Sequence, residues 1–213
     1  METTLIFIVG FLAQALFSAR ILFQWILSER AKQVVSPSIF WVLSILGSYL
    51  LCLYGWFRHD FSIILGQFIS YYIYLWNLNE KGVWKRLPLV LKAMLIATPV
   101  VAAAFMLHDA GMFIRNFFQN ENVPLWLLVF GSMGQVVFTL RFVYQWGYSF
   151  HYKESLLPKG FWIISLVGSL VIVIYGILRK DPVLILGQSV GFVAYSRNLV
   201  ISHRHAIQKE MKS

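Results

Sequence analysis

Arg20 and Arg141 each stand about eight residues inside a long apolar run. Placing an arginine near the middle of a membrane helix costs about 2.5–3.5 kcal/mol on insertion scales. A guanidinium is planar, permanently charged and shaped to grip phosphate, so a recurring pair of this kind makes a candidate anion site. Snorkelling to the interface, or bonding to carbonyls of a neighbouring helix, stays open as the plainer role. Arg197, beside Asn198 near the end of the last apolar run, is a third candidate, with interfacial anchoring as its alternative. Asn77 and Asn198 occupy matching helix ends, and an amide can bind sugar hydroxyls through both its donor and its acceptor. The candidate phosphate- and sugar-binding set is therefore Arg20, Gln24, Asn77, Arg141, Gln145, Arg197 and Asn198. Gln14, Gln67, Gln135 and Gln188 extend the same polar series, and hydrogen bonding between helices is the alternative use of all these amides.

Nothing pairs a nucleophile with a base. No phosphate-cradling glycine loop and no Cys/His metal spacing is visible, and His203 and His205 fall in a polar tail. The longest stretch between apolar runs, about 108–122, is too short for a soluble catalytic domain. The sequence reads as a non-enzyme without cofactor, metal or nucleic-acid partner.

The elements that position these residues follow from composition. Of 213 residues, 59% are apolar and 13% charged, against about 25% charged in soluble domains. A helix crossing the hydrocarbon needs about 20 apolar residues, and in lipid the backbone must satisfy its own hydrogen bonds. Seven such segments are expected, near 4–27, 38–57, 61–78, 88–107, 123–148, 159–178 and 182–200. Ser36-Pro37, Asp60 and Asp181-Pro182 read as helix starts. Arg58 with Asp60, and Arg179 with Asp181, read as macrodipole-matched turn residues. Ser44, Gly47 and Ser48 form a small-residue stripe suited to close helix packing. Cys52 is the only thiol, which rules out an intrachain disulfide. The start lacks the basic region and cleavage site of a signal peptide, so the first segment is expected to remain a helix. Eleven Lys and Arg fall in the loops and tail of one side, including Lys209 and Lys212, and four on the other. This bias predicts an outside N-terminus and a cytoplasmic C-terminus.

Shifted by 121 residues, the chain matches itself without a gap from about residue 10 to 78. Arg20 meets Arg141, Gln24-Trp25 meets Gln145-Trp146, and Asp60 meets Asp181. Gly66-Gln67 meets Gly187-Gln188, and Asn77-Leu78 meets Asn198-Leu199. Polar and turn residues dominate these matches, so shared apolarity does not explain them. On the first helix they fall within roughly 140° of arc, one shared inner face. Three helices, an unpaired fourth and three more put both copies in the membrane in the same direction, the parallel-repeat plan. The expected fold is an all-α, seven-span 3+1+3 membrane protein: repeat 1–80, linker 81–122, repeat 123–202 and basic tail 203–213.

The run Arg141-Phe142, Gln145-Trp146, Ser149, Pro158, Phe161-Trp162, Ser165, Gly168, Tyr175, Asp181-Pro182, Gly187-Gln188, Tyr195 and Arg197-Asn198-Leu199 resembles the lipid-A-disaccharide synthase N-terminal domain family. The first copy matches it through Arg20, Gln24-Trp25, Ser28-Glu29-Arg30, Pro37, Phe40-Trp41, Asp60, Gly66-Gln67 and Asn77-Leu78. It departs at Trp76, where the family pattern has arginine. The second copy has Phe150 where the pattern is acidic. The family is similar to SWEET and PQ-loop transporters. The resemblance implies a bacterial inner-membrane protein that moves a lipid-linked sugar or anionic glycolipid in lipid A or envelope glycolipid assembly. The alternatives are a SWEET-like facilitator of small sugars and a non-transporting membrane accessory of a lipid A glycosyltransferase. Implied partners are membrane lipids, the glycolipid, a glycosyltransferase and further copies of the chain.

Overall fold

The computed structural model describes residues 3–108, 111, 114–115 and 124–210. Most of the expected 108–122 connection, and the tail from 211 with Lys212, lie outside the described residues, as does the side chain of Lys209. Among the described residues the chain forms eight helices: α1 Thr3–Ala31, α2 Ser38–Phe57, α3 Phe61–Glu80, α4 Val83–Arg86, α5 Leu89–His108, α6 Leu125–Tyr152, α7 Lys159–Leu178 and α8 Pro182–Glu210.

Five of them, α1, α2, α6, α7 and α8, are long and apolar enough to cross a membrane. The expected segments 61–78 and 88–107 fall short of that mark. α3 is diluted by Ser62, Gln67, Ser70 and Asn77, which face the interior. α5 is apolar over Leu89–Ala104. The outer faces are oily. On α7, Ile163, Val167, Leu170, Ile174 and Ile177 are exposed at helical spacing, a surface suited to acyl chains rather than water.

Helix ends show the expected chemistry with one shift. Asp60 accepts from Ile63 N at 3.3 Å, and Asp181 accepts from Val183 N at 3.0 Å, with Pro182 opening α8. α2 instead begins after Pro37, which has no side-chain cap to offer. Ser36 turns away from that role to accept from Trp41 Nε1 at 3.0 Å. Among the described residues, four that are not glycine adopt the left-handed region: Lys32 and Lys153, His59 and Lys180. They fall as two pairs 121 apart, so both copies use the same two strained turns, at about 1–2 kcal/mol each.

α1, α2 and α3 pack in sequence, as do α6, α7 and α8; α3 then packs on α6, and α8 on α1, closing a ring. α5 lies outside this ring. Pro99 cannot donate to Leu95 O, and Tyr71 OH supplies that carbonyl at 2.9 Å instead. Tyr49 OH donates to Thr98 Oγ1 at 3.0 Å.

The small-residue stripe does what close packing requires. Gly47 faces the Phe17 ring, and Gly168 faces the Phe138 backbone, where an added Cβ would lie 2.6 Å from Phe138 Cα. Overpacking costs about 1–3 kcal/mol, so Gly168→Leu should melt at a clearly lower temperature in detergent. Gly147→Ala, whose Cβ meets nothing within 4 Å, should melt like the parent. Equal melting of the two variants would contradict this packing.

Candidate functional site

The ring of helices closes on itself through hydrogen bonds that cross from one copy to the other, and the Tyr–Asp and Gln–Asn bonds each occur twice. Tyr54 OH donates to Asp181 Oδ2 at 2.7 Å, and Tyr175 OH donates to Asp60 Oδ2 at 2.7 Å. Arg58 stands 3.7 Å from Asp181, and Arg179 stands 3.5 Å from Asp60. The two carboxylates are almost fully buried, a placement that requires both hydrogen bonds and a counter-charge. Sequence reasoning assigned these residues to caps. The caps form, and the same carboxylates also join the copies at one end of the bundle.

The other end is joined by amides. Gln24 Nε2 donates to Asn198 Oδ1 at 2.9 Å, and Gln145 Nε2 donates to Asn77 Oδ1 at 2.9 Å. Gln24 and Gln145 also reach Ser28 and Ser149, each at 2.8 Å. Ser155 donates to Asn77 Oδ1 at 2.7 Å and meets Ser36 Oγ at 3.0 Å, tying the loop before α7 to the loop before α2. Equivalent loops of the two copies thus meet at the same end. Four residues of the candidate set therefore serve as bonds between copies.

Between these two seals lies a cleft. Arg20 and Arg141 line it with Tyr74, Tyr195 and Phe142, and Gln14, Gln67, Gln135 and Gln188 line it further along. Its cavity of about 40 Å³ has room for about three waters and not for a sugar. Both arginines are 3% exposed. Arg20 Nη1 donates to Ser44 Oγ at 2.6 Å, and Arg141 Nη1 donates to Tyr195 OH at 3.1 Å. Aromatic rings supply the rest of their surroundings. Arg20 lies 4.4 Å from the Phe17 centroid and Arg141 3.4 Å from that of Phe138. Both stand over the one Phe142 ring, at 5.5 and 4.6 Å. Cation–π contacts of this kind give about 0.5–2 kcal/mol each, less than a buried ion pair's partner would. Neither arginine has a carboxylate partner among the described residues. Their Nε atoms have no acceptor, and the Oε1 atoms of Gln67 and Gln188 have no donor.

Arg197 lies apart from this cleft. It is paired with Glu29, through Nε to Oε1 and through Nη2 to Oε2 at 3.2 Å, and both side chains are 38% exposed. With Lys32 and Arg204 the pair lines a groove at the amide-sealed end.

The fold and the cleft define an all-helical membrane protein made of two tandem copies that share a polar seam. The Lipid A Biosynthesis N-terminal domain matches twice, over residues 9–79 and 130–200, and the chain belongs to that family. It is similar to the lipid-A-disaccharide synthase of Chlamydia caviae, 32% identical over 206 residues, covering 92% of this chain and 33% of the relative. The Chlamydia pneumoniae lipid-A-disaccharide synthase is 31% identical over 206 residues, covering 94% of this chain and 34% of the relative. The chain thus spans about a third of the length of the relatives it matches. No solved structure matches it.

Asn77→Leu leaves the buried Gln145 Oε1 without its donor, at about 1–3 kcal/mol for a buried unsatisfied group, and removes one partner each of Gln145 Nε2 and Ser155. The expected result is a lower melting temperature in detergent. Asn77→Leu with Gln145→Leu should lose less than the two single changes together, since removing both partners is gentler than removing one. Strict additivity would show that the amides do not act as a pair.

Proposed function

We propose that this chain is a transporter or flippase-type protein for a lipid-linked sugar or a related anionic glycolipid of lipid A or envelope glycolipid assembly. The supporting observation is the arginine pair. Two cations buried between aromatic rings, with no acid to balance them, form a site that gains most from a ligand bringing negative charge. A phosphate oxygen at the free Nε–H groups would satisfy both. The unpaired glutamine oxygens offer acceptors to sugar hydroxyls along the same wall. The narrow cavity, closed at both ends, is then an occluded state. Rocking one copy against the other breaks the Tyr–Asp seals or the Gln–Asn seals in turn.

This reading includes seven spans in the 3+1+3 plan, with repeats 1–80 and 123–202, linker 81–122 and tail 203–213. It places the N-terminus outside and the C-terminus in the cytoplasm of a bacterial inner membrane, on the strength of the Lys/Arg bias. A second reading is favoured by the relatives, whose name is that of a synthase: a membrane accessory that holds a lipid A glycosyltransferase.

In proteoliposomes carrying a fluorescent polyprenyl-phosphate-linked hexose, wild-type protein should speed movement of the probe between leaflets. Arg141→Gln removes a charged hydrogen-bond donor, about 1.5–3 kcal/mol, so the rate should drop about 10- to 100-fold. Arg141→Lys, keeping the charge, should lose less. An Arg141→Gln rate equal to wild type rejects the arginine role. Wild-type protein that leaves the probe rate unchanged, yet co-purifies with a glycosyltransferase, favours the accessory reading.

In a Cys52→Ser background, a membrane-impermeant maleimide should label Lys180→Cys in intact spheroplasts. It should reach His203→Cys only after permeabilisation. The reverse pattern inverts the orientation.

A further inference from the structure

The two seams between the copies share their Gln–Asn bonds and differ in other places. α1 meets α8 on one seam and α3 meets α6 on the other. The 121-residue shift carries Glu29 to Phe150 and Trp76 to Arg197. The α1·α8 seam is therefore closed by the Glu29–Arg197 ion pair, to which Trp25 Nε1 adds a bond to Glu29 at 3.0 Å. The α3·α6 seam has rings in those same places, with Trp76 6.4 Å and Trp146 5.7 Å from Phe150. Both departures from the repeat fall on the same pair of facing positions, so they change one seam as a unit.

A second difference lies further along the α3·α6 seam. Phe61 at the start of α3 and, on α6, Leu125, Leu128, Val129, Ser132, Met133 and Val136 line an apolar groove of about 440 Å³. Ser132 stands where α1 has Phe11, which exchanges an aromatic ring for a hydroxyl and leaves room. Ser132 Oγ meets Ser62 Oγ at 3.1 Å, so polar atoms bridge the seam beside the groove. The inner wall of the same seam is Gly66, Gln135 and Thr139, which line the cleft. Groove and cleft are thus the outer and inner sides of one seam.

We propose that the α3·α6 groove seats the hydrocarbon chain of the lipid substrate while its phosphate lies between Arg20 and Arg141, so that the lipid reaches the cleft through this seam. This rests on the transporter reading above and deepens it. On α6, Arg141 follows Val136 by a rise of about 7.5 Å. A chain attached to a phosphate at Arg141 therefore reaches the groove by parting the α3·α6 seam at Gly66, Gln135 and Thr139, without crossing the bundle. The chain stays among apolar side chains while the charged head stays among polar ones. Passage through the α1·α8 seam would instead draw the chain past an ion pair that must first be broken.

The test uses reconstituted Cys52→Ser protein and two probes. One is the long-chain polyprenyl-phosphate-linked hexose. The other is a water-soluble short-isoprenyl-phosphate-linked hexose, followed by its binding. Ser132→Phe fills the groove with the ring that α1 carries, and overpacking should slow the long-chain probe about tenfold while leaving short-probe binding unchanged. An oxidised Ser62→Cys/Ser132→Cys pair should stop the long-chain probe, and reduction should restore it, which separates the seam from any loss of folding. Glu29→Gln should leave the long-chain rate at or above wild type. If Ser132→Phe and the oxidised pair both move the long-chain probe normally while Arg141→Gln slows it, the seam assignment is wrong and the transporter reading stands. If wild-type protein moves no probe, the transporter reading fails. A diazirine at the chain terminus then judges the groove: photolabelling concentrated on α3 and α6 keeps the chain seat, and labelling of α1 and α8 or uniform labelling overturns it.

Discussion

A buried carboxylate must be satisfied by protein, and here its tyrosine and its arginine both come from the other copy. Asp60 and Asp181 sit in tight turns, almost fully buried. Each caps its own helix, yet each takes its tyrosine and its arginine from across the bundle. A single three-helix unit would leave both acids short of partners. The duplication therefore supplies the missing partners of both acids. The closure of the ring at that end follows from that requirement.

The same rule explains what is unusual about the arginines. Among the described residues, the other buried charges, Asp60 and Asp181, have an opposite charge within reach, whereas Arg20 and Arg141 have hydroxyls and rings. Their hydroxyl partners differ, Ser44 for one and Tyr195 for the other, although both residues recur in the other copy. A pair of identical cations over one Phe142 ring cannot be placed symmetrically. The two-fold relation thus fails at the centre of the molecule as well as on one seam, and the cleft holds unpartnered polar atoms of both copies.

Much of this was legible in the sequence. The starts of α2, α3, α7 and α8 fall at their expected residues, because Pro37, Asp60, Pro158 and Asp181-Pro182 mark them chemically. α1, α6 and α8 run longer than expected, since apolar length sets the span and not the helix. The inner face was legible because a repeat conserves what faces inward: Arg20, Gln14, Gln67 and their equivalents do line one cleft. The pairing was not. Spacing within one chain shows that Gln24 and Asn77 lie on inner faces, but not that Gln24 bonds Asn198 and Gln145 bonds Asn77. That requires knowing which helices of the two copies touch. The fate of Arg197 was hidden for the same reason, since its partner Glu29 lies 168 residues away.

One signal for the missing pairing was nonetheless present. Trp76 and Phe150 are two separate departures from the repeat when read along the chain. In three dimensions they are one departure, because the two-fold exchange brings both to a single seam while Glu29 and Arg197 face each other on the other. Changing Glu to Phe alone would have left an unpaired arginine opposite, and changing Arg to Trp alone would have left an unpaired acid. Paired loss of a charge and its counter-charge is what physical coupling between facing positions demands. Trp162 shows the uncoupled case. Leu157 stands where Ser36 accepts from Trp41, and the buried Trp162 Nε1 is left without an acceptor. The two copies thus differ by a coupled exchange on one seam and an uncoupled one in the core, while the Tyr–Asp and Gln–Asn bonds between them recur in both.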